Sequence, residues 1–548
     1  MPASRLRGGM HDRLWQTLLW LAFAAAAWWA VQPGGIIPSS MTGLPAIVWV
    51  ALLVRAAIGA RGGWTLLVAT WAFFLVPWLV VLAWVSDVSS AGWPPLAIYS
   101  AAYPAALAVL LRWLDRWRWV IPLSVVAGVL GLSLEYIRAE IVFDAWPFHL
   151  AGHALWGSGQ IMLASMGGVW ACSLLVFAAG GLLAAALTAS RWQRLAWESV
   201  LPGVLLVIAS IIPSPVPAEM PGATVLAVQT NLPQDNKIGW PIERQQADIE
   251  SFLSLTAESF DDPDLVVWPE TMVPGLGFDP ATMQLLDELG PRADVLARWP
   301  RLIMQSATES GTSWLVGSPT WSGIRIEEGA VEATGRFNSA VLISPDGLLQ
   351  RYDKTFLTPF GETMPYVRAW PWLESLVMDV GAAGMRFDLD VSERTLPLDL
   401  TTRGGDVWSL ATPICFEDAV PSVTRSLCVR DGQVDVDAII NISNDGWFGS
   451  SNAGRRAHAV AAAFRAVEMG RPLLRVANTG ITGLYLPDGA TATSLEPQIA
   501  ATMTVNVPRY DGQTIQARWG NWLPRLCVLL VVTFVVVRIA VGPSKRAA

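Results

Sequence analysis

Three segments of the chain place a reactive side chain where an apolar run gives way to polar residues. Glu270 follows DLVVWP, Lys354 follows LLQRYD, and Cys415 follows VWSLATPI. Such switches mark the points where buried strands leave a core, and the loops beyond them carry functional groups. A carboxylate, an amine and a thiol meeting there make a complete acyl-transfer set. The carboxylate takes the thiol proton. The thiolate attacks an ester or amide carbonyl and forms a thioester. The ammonium stabilises the developing oxyanion. Taken singly, each residue has a plainer reading: a small buried cysteine, a solvated glutamate after proline, a surface lysine. Residue usage singles them out further. The chain has four cysteines, and Cys172 and Cys527 lie inside apolar runs, while Cys428 sits in no motif. Of 37 basic residues only Lys237, Lys354 and Lys545 are lysine.

The elements that must position these groups begin after the Pro-rich linker SPVPAEMPG. Short β-rich runs at 223–230, 264–268, 313–318, 337–344, 407–415, 435–442, 473–477 and 499–506 alternate with helical patterns at 241–259, 280–309 and 453–469. The strands are apolar on both faces, as in sheets covered by helices, so an α/β layered domain is expected.

The remainder of the chain has a different composition. Only 15% of residues are charged, against roughly 25% in an average soluble chain, and there are 29 tryptophans. Apolar runs of spanning length are read at 14–31, 43–60, 64–85, 94–111, 119–137, 161–189 and 197–213, with an eighth at 523–541. Arginines crowd alternate loops: Arg5, Arg7 and Arg13 before the first run, Arg61 after the second, Arg112, Arg116 and Arg118 after the fourth, Arg191 and Arg194 after the sixth. Lys545 and Arg546 end the chain. The positive-inside rule then places the N-terminus in the cytoplasm and segment 215–520 outside. The loop at 138–160 carries Trp146, Phe148 and Trp156, readable as interfacial anchors or as contacts for a lipid. The net charge of -8 argues against nucleic-acid binding. No zinc spacing is present, and His149 and His153 lack a third ligand in sequence, so no metal site is expected.

The segments WPET, DKTFLTPFGETMPY, ICFED, NISNDGWFG and FRAVEMGRPLLRVANTGITG resemble the nitrilase superfamily. With spans on both sides, the chain is most similar to its membrane branch, the bacterial apolipoprotein N-acyltransferase family; the loop EYIRAEIVFDAWPF followed by GGVWACSLLV resembles that family too. The resemblance implies a polytopic helical domain at 1–214, an extracytoplasmic α-β-β-α sandwich at 215–520, and a last helix with a cytoplasmic tail at 521–548, in a bacterial inner membrane. Position by position it makes Glu270 the general base, Cys415 the nucleophile and Lys354 the oxyanion donor. Glu362 would orient Lys354, and Glu417 would support the pocket. Trp240 and Trp447 would lie on substrate-facing loops. Where the family often has tyrosine after the cysteine, this chain has Phe416, which loses the hydroxyl and keeps a backbone N–H for the oxyanion. The implied reaction moves an acyl chain from a membrane phospholipid, through a thioester, to the α-amine of the N-terminal diacylglyceryl-cysteine of an apolipoprotein. No cofactor is implied, because the donor is already an ester, and a monomer is expected. Two rival readings are a membrane-tethered amidase or hydrolase using the same triad and a non-catalytic lipoprotein-binding homologue. An intact triad argues against the second, and the aromatic loops and spans argue against the first. A Cys415–Cys428 disulfide would block the nucleophile and is not expected.

Overall fold

The computed structural model describes residues 3–33, 37, 41–114, 121–188, 191–233, 240–290, 294–327, 330–363, 366 and 389–541. Lys237, Arg116, Arg118, Lys545 and Arg546 lie outside them. The chain divides into two compact units, Met1–Ser214 with Trp519–Ala548, and Pro215–Arg518.

The first unit is helical. Its principal helices are Ala3–Ala30, Gly43–Gly59, Gly63–Val81, Trp93–Leu114, Leu123–Tyr136, Val169–Ala186 and Trp522–Val541. Among the described residues, Gly63–Val81, Trp93–Leu114 and Val169–Ala186 are long and apolar enough to cross a membrane. The pair Trp192–Glu198 and Val200–Ile211, bent by 49°, makes a fourth if counted as one. Among the described residues eight full-length spans are therefore not found; the run at 161–189 keeps a span, shortened, and that at 119–137 loses its own. The run at 161–189 is broken, because Gly159–Leu163 and Ala164–Gly167 coil as separate turns before the helix starts at Val169. The run at 119–137 starts at Leu123, and after Tyr136 the helix widens into a π turn over Ile137–Ile141.

The aromatic loop also differs from an anchor reading. Phe148 and Trp156 are buried. The Arg138 guanidinium explains this for the first part of the loop. It donates to the carbonyls of Trp146 (3.3 Å) and Phe148 (2.9 Å) and draws the chain inward. Glu135 accepts the Ala151 N–H at 2.7 Å and the Ser173 hydroxyl at 2.7 Å, holding the loop's far side.

The second unit is built on two six-stranded sheets. Its strands are β1 (Ala223–Gln229), β2 (Leu265–Val267), β3 (Ser313–Ser322), β4 (Gly335–Ile343), β5 (Leu349–Asp353), β6 (Leu398–Thr401), β7 (Val407–Ala411), β8 (Ala438–Ser443), β9 (Leu473–Ala477), β10 (Gly483–Tyr485), β11 (Thr491–Ser494) and β12 (Ala501–Val507). The first sheet runs β12-β1-β2-β3-β4-β5 and the second β11-β10-β9-β8-β7-β6. Each has three parallel strands flanked by antiparallel ones. In the first, Val225 pairs with Leu265 and Leu265 with Ser313. In the second, Ala438 pairs with Leu410 and Ile439 with Leu473. The parallel strands are the apolar ones: LVV of β2, AIINIS of β8 and LLRVA of β9 are buried at every position. Parallel strands need both faces covered. Helices Ile242–Glu258 and Asp294–Ser310 supply Ile249, Phe252, Trp299 and Ile303 against Val266, Trp268, Trp314 and Val341 of the first sheet. Helix Asn452–Met469 packs on the second sheet and is buried along nearly its whole length.

Candidate active site

The parallel strands deliver the chemistry at their C-terminal ends. β2 runs on through Trp268, whose N–H donates to Leu315 at 2.9 Å, and then turns sharply at Glu270 and Thr271, the latter with φ 54°. The backbone of β3 passes so close to this turn that a Cβ at Gly317 would stand 2.4 Å from the Pro269 carbonyl and 2.6 Å from Glu270 Cα. Glu270 is thereby pressed into the site with 5% exposure. Asn338 Nδ2 donates to its Oε1 at 2.7 Å, and the backbone N–H of Asn444, just past β8, donates to its Oε2 at 2.8 Å.

Lys354 is the first residue after β5, and its N–H donates to Asn338 at 2.9 Å. Its side chain is fully buried and its Nζ lies 2.6 Å from Glu362 Oε2. Burial alone would lower the lysine pKa. Glu362 first, then Cys415, Glu270 and Glu417, outweigh that and raise it, so the ammonium stays charged. Burial raises the Glu362 pKa in turn, but Lys354 and the Thr358 N–H (2.8 Å) outweigh it and the net shift is downward.

Cys415 follows the Ile414–Ile442 bridge that continues β7 alongside β8, and it opens the one-turn helix Cys415–Asp418. Its φ is 54°, a left-handed conformation costly for any residue with a Cβ and tolerated only where the surroundings impose it. Asn441 Nδ2 helps impose it, donating to the carbonyls of Pro413 (3.1 Å) and Cys415 (3.3 Å). Cys415 is 8% exposed. Burial and then Glu270 push its pKa well above the usual range, and Lys354 pulls back only in part. At neutral pH the nucleophile therefore rests as a thiol and must lose its proton as it attacks. Cys428, the other cysteine of this unit, is buried and pushed up to about 12 by burial. All four cysteines are free thiols.

Glu417 ties the two reactive loops together. It accepts from the N–H groups of Thr355 (2.8 Å) and Phe356 (2.9 Å) on the lysine loop and from that of Ile414 (2.7 Å) beside the cysteine. The Tyr352 hydroxyl adds a fourth donor at 2.9 Å. Burial raises the Glu417 pKa, while Lys354 and these donors oppose the rise. The donor set is the one a carboxylate takes. Phe416 is buried and stacks on Phe356 with ring centroids 6.3 Å apart.

Glu270, Lys354, Cys415, Glu362, Glu417 and Phe416 thus converge. Trp240 has other partners. It packs against the hydrophobic cluster under the first sheet, and its indole N–H donates to Asp248 at 2.9 Å. Trp447 stands on the one-turn helix Gly446–Phe448 and is 38% exposed.

A buried ionic cluster behind the cysteine turn has no counterpart in the sequence reading. Asp418 and Asp445 share His458 and Arg475 between them. His458 Nε2 lies 2.8 Å from Asp418 and Nδ1 2.9 Å from Asp445. Arg475 reaches Asp418 at 3.3 Å and Asp445 at 2.8 Å. A Cβ at Gly480 would come within 2.0 Å of Asp445 Oδ2, so only glycine leaves room for the carboxylate. The sequence offered only that His458 is the single histidine between residues 215 and 518; nothing in the spacing ties it to Asp418, Asp445 or Arg475.

Residues 227–516 match the carbon-nitrogen hydrolase family. The chain is 29% identical to the apolipoprotein N-acyltransferase of Geobacter metallireducens over 474 residues, which is 85% of this chain and 81% of that one. It is 27% identical to the apolipoprotein N-acyltransferase of Bradyrhizobium diazoefficiens over 545 residues, 93% of this chain and 92% of that one. A solved amidase from Nesterenkonia sp. aligns with a TM-score of 0.37 at 15% identity, covering 56% of this chain and 99% of its own.

Proposed function

Because the chain belongs to the carbon-nitrogen hydrolase family, we propose that it applies the Glu270–Lys354–Cys415 site to acyl transfer, as an apolipoprotein N-acyltransferase. The observation that carries this reading over simple hydrolysis is the reach of the similarity. The match to the Bradyrhizobium diazoefficiens acyltransferase takes in 93% of the chain and so includes the helical unit, for which a hydrolase of soluble amides has no use.

In the first half-reaction Glu270 takes the proton of the Cys415 thiol as sulfur attacks an ester carbonyl of a membrane phospholipid. The Lys354 ammonium and the Phe416 backbone N–H donate to the tetrahedral oxyanion. Collapse breaks the C–O bond, Glu270 returns its proton to the departing oxygen, and a lysophospholipid leaves with a thioester on Cys415. In the second half-reaction the α-amine of a diacylglyceryl-cysteine attacks the thioester. Glu270 takes the amine proton, the C–S bond breaks, and the thiol is restored with an amide as product. Lys354 keeps its charge throughout, which its carboxylate neighbours favour. Trp240 and Trp447 belong to the substrate-facing loops in this reading, Trp447 as part of a lid.

The same reading sets residues 1–214 as seven spans, 215–520 as an extracytoplasmic catalytic domain and 521–548 as the last span with its tail. The protein is then a multi-pass, monomeric protein of a bacterial inner membrane. The test is mass spectrometry of the purified full chain after incubation with vesicles of one synthetic phospholipid. One acyl chain should appear on Cys415, be absent from Cys415→Ser, and be discharged by a synthetic diacylated lipopeptide. Discharge to water alone would establish a hydrolase, and an unmodified Cys415 would remove the acyl-enzyme.

A further inference from the structure

We propose that His458 is a positioning residue for acyl transfer, a charged bridge that sets the separation between the turn bearing Cys415 and the turn that holds Glu270. This rests on the acyl-transfer reading of those two residues. The argument is geometric. Asp418 closes the one-turn helix that Cys415 opens. Asp445 directly follows Asn444, whose backbone N–H holds Glu270 Oε2 at 2.8 Å. His458 touches both aspartates, at 2.8 and 2.9 Å, one through each ring nitrogen. Nδ1 also stands 2.9 Å from Arg475 Nη2, and the two carboxylates, one at each ring nitrogen, favour a proton on both, the imidazolium.

The surroundings keep the charge in place. From β9, Arg475 pairs with the same two aspartates, so two cations balance two anions in a site nearly closed to solvent. Arg455, on the same helix as His458, and the Cys415 thiol also act on Asp445. Tyr485 on β10 faces the cluster, its pKa raised by burial to about 12, so it remains a neutral phenol. Phe448 covers the imidazole edge-on at 5.9 Å. Burial alone would lower the His458 pKa; Asp418 and then Asp445 raise it to about 9 against that and against Arg475.

Arg475 cannot substitute for the histidine. It reaches the aspartates from the sheet, whereas His458 reaches them from helix Asn452–Met469, so that together they fix both turns from two sides. Both turns need fixing: Cys415 and Asp445 are non-glycine residues at φ 54° and 56°, a conformation that relaxes when its restraints go. Loss of the bridge moves Glu270 relative to the thiol and slows proton transfer from it, without touching the surface that binds lipid.

The experiment follows Cys415 in the full-length protein from pH 6 to 10 by two readouts: acylation from a fluorescent phospholipid in vesicles, and alkylation by iodoacetamide without lipid. For the parent, the acylation rate should fall as pH rises through about 9, where His458 loses its proton. His458→Gln supplies one N–H where two are needed. It should acylate about tenfold to a hundredfold more slowly, the scale of a small misplacement of a reacting group. Its donor concentration at half-maximal rate should stay within about twofold, and the limb near pH 9 should vanish. Asp418→Asn, which removes one of the two charges holding the proton, should shift that limb to lower pH. A parent profile with no such limb, or a His458→Gln protein with the parent rate and profile, overturns the proposal, and the first of these needs no variant. If the parent takes no acyl chain at all, the transferase reading falls. The iodoacetamide profiles of parent and His458→Gln then still decide the role of the histidine, which is lost if they coincide.

Discussion

The resting state of Cys415 is what the neighbouring residues must act upon. A thiol raised by burial and by Glu270 carries no standing thiolate, so the proposed acyl transfer requires Glu270 to accept a proton while the C–S bond forms and Lys354 to hold the oxyanion that results. Lys354 is suited to this because its single Nζ is fixed by Glu362 at 2.6 Å in a fully buried place. Arginine keeps the charge but replaces a compact ammonium with a planar fork. Lys354→Arg is therefore expected to fold and yet to acylate Cys415 on the order of a hundredfold more slowly, the usual cost of one oxyanion donor. Thioester formation from a fluorescent phospholipid measures this, and a near-parent rate would leave the position a role of charge alone. Glu270, Lys354 and Cys415 were legible together through the motifs WPET, DKTFLTPFGE and ICFED and through the scarcity of lysine and cysteine. Glu270 and Cys415 also end apolar runs, whereas β5 before Lys354, LQRYD, is mixed and half-buried. Asp418, Asp445 and His458 were not legible. A lone histidine on a helix and aspartates in polar segments have no spacing that announces a buried bridge; only the fold brings them within 3 Å.

At the scale of elements, the site is made by strands that end together. β2, β7 and β8 are parallel members of the two sheets, and their C-terminal ends supply Glu270, Cys415 and the Asn444 N–H. The apolar runs disclosed the inner strands well, because strands buried on both faces are written in Val, Ile and Leu. Of the edge strands, β12 was read at 499–506, while β5, β6 and β11 escaped. β11 is TATS and exposed at all four positions, and β6 alternates buried and exposed residues over LDLT, too short a run to read. The helical pattern at 280–309 proved to be two helices, Pro280–Leu289 and Asp294–Ser310. Gly317 was equally silent, since its importance lies in what passes beside it. A methyl group there meets backbone atoms of Pro269, Glu270 and Thr271 at 2.4–2.6 Å, and backbone cannot rotate away as a side chain can. Gly317→Ala should cost about 1–3 kcal/mol, typical of overpacking. It should also slow Cys415 acylation per folded molecule, because the group displaced is the base itself. Thermal unfolding alongside acylation rate separates the two effects; a destabilised protein with an unchanged rate per folded molecule would mean that the Glu270 turn moves as a rigid piece.

At the scale of the whole molecule, the question left by the helices is how many of them cross a membrane, and parity separates odd counts from even ones. By length and composition the described residues contain three qualifying helices before residue 215, and a fourth if the bent pair counts as one. Four crossings would return the chain to the side on which it began. Seven would leave the catalytic unit on the opposite side. The additional candidates are marginal for physical reasons. Gly43–Gly59 has 17 residues and rises about 26 Å, close to a hydrocarbon core of roughly 30 Å, and it carries Arg55 within its length. Arginine can extend its charge toward the interface, which lets a short helix of this kind span. The loop arginines agree with seven: Arg61 lies in, and Arg112 one turn before, loops that should be cytoplasmic, and Arg112 donates to the carbonyl of Ala60, bringing the two to one end of the helical unit. A phosphatase that folds only after export, fused after Gly404 in the turn between β6 and β7, should then be active. The same enzyme fused after Thr188 should be inactive, and a cytoplasmic reporter at the two sites should give the reverse pattern. Activity of the cytoplasmic reporter at Gly404, with the N-terminus also found in the cytoplasm, would establish an even number of crossings. It would also place the thioester chemistry on the wrong face of the membrane for exported lipoproteins.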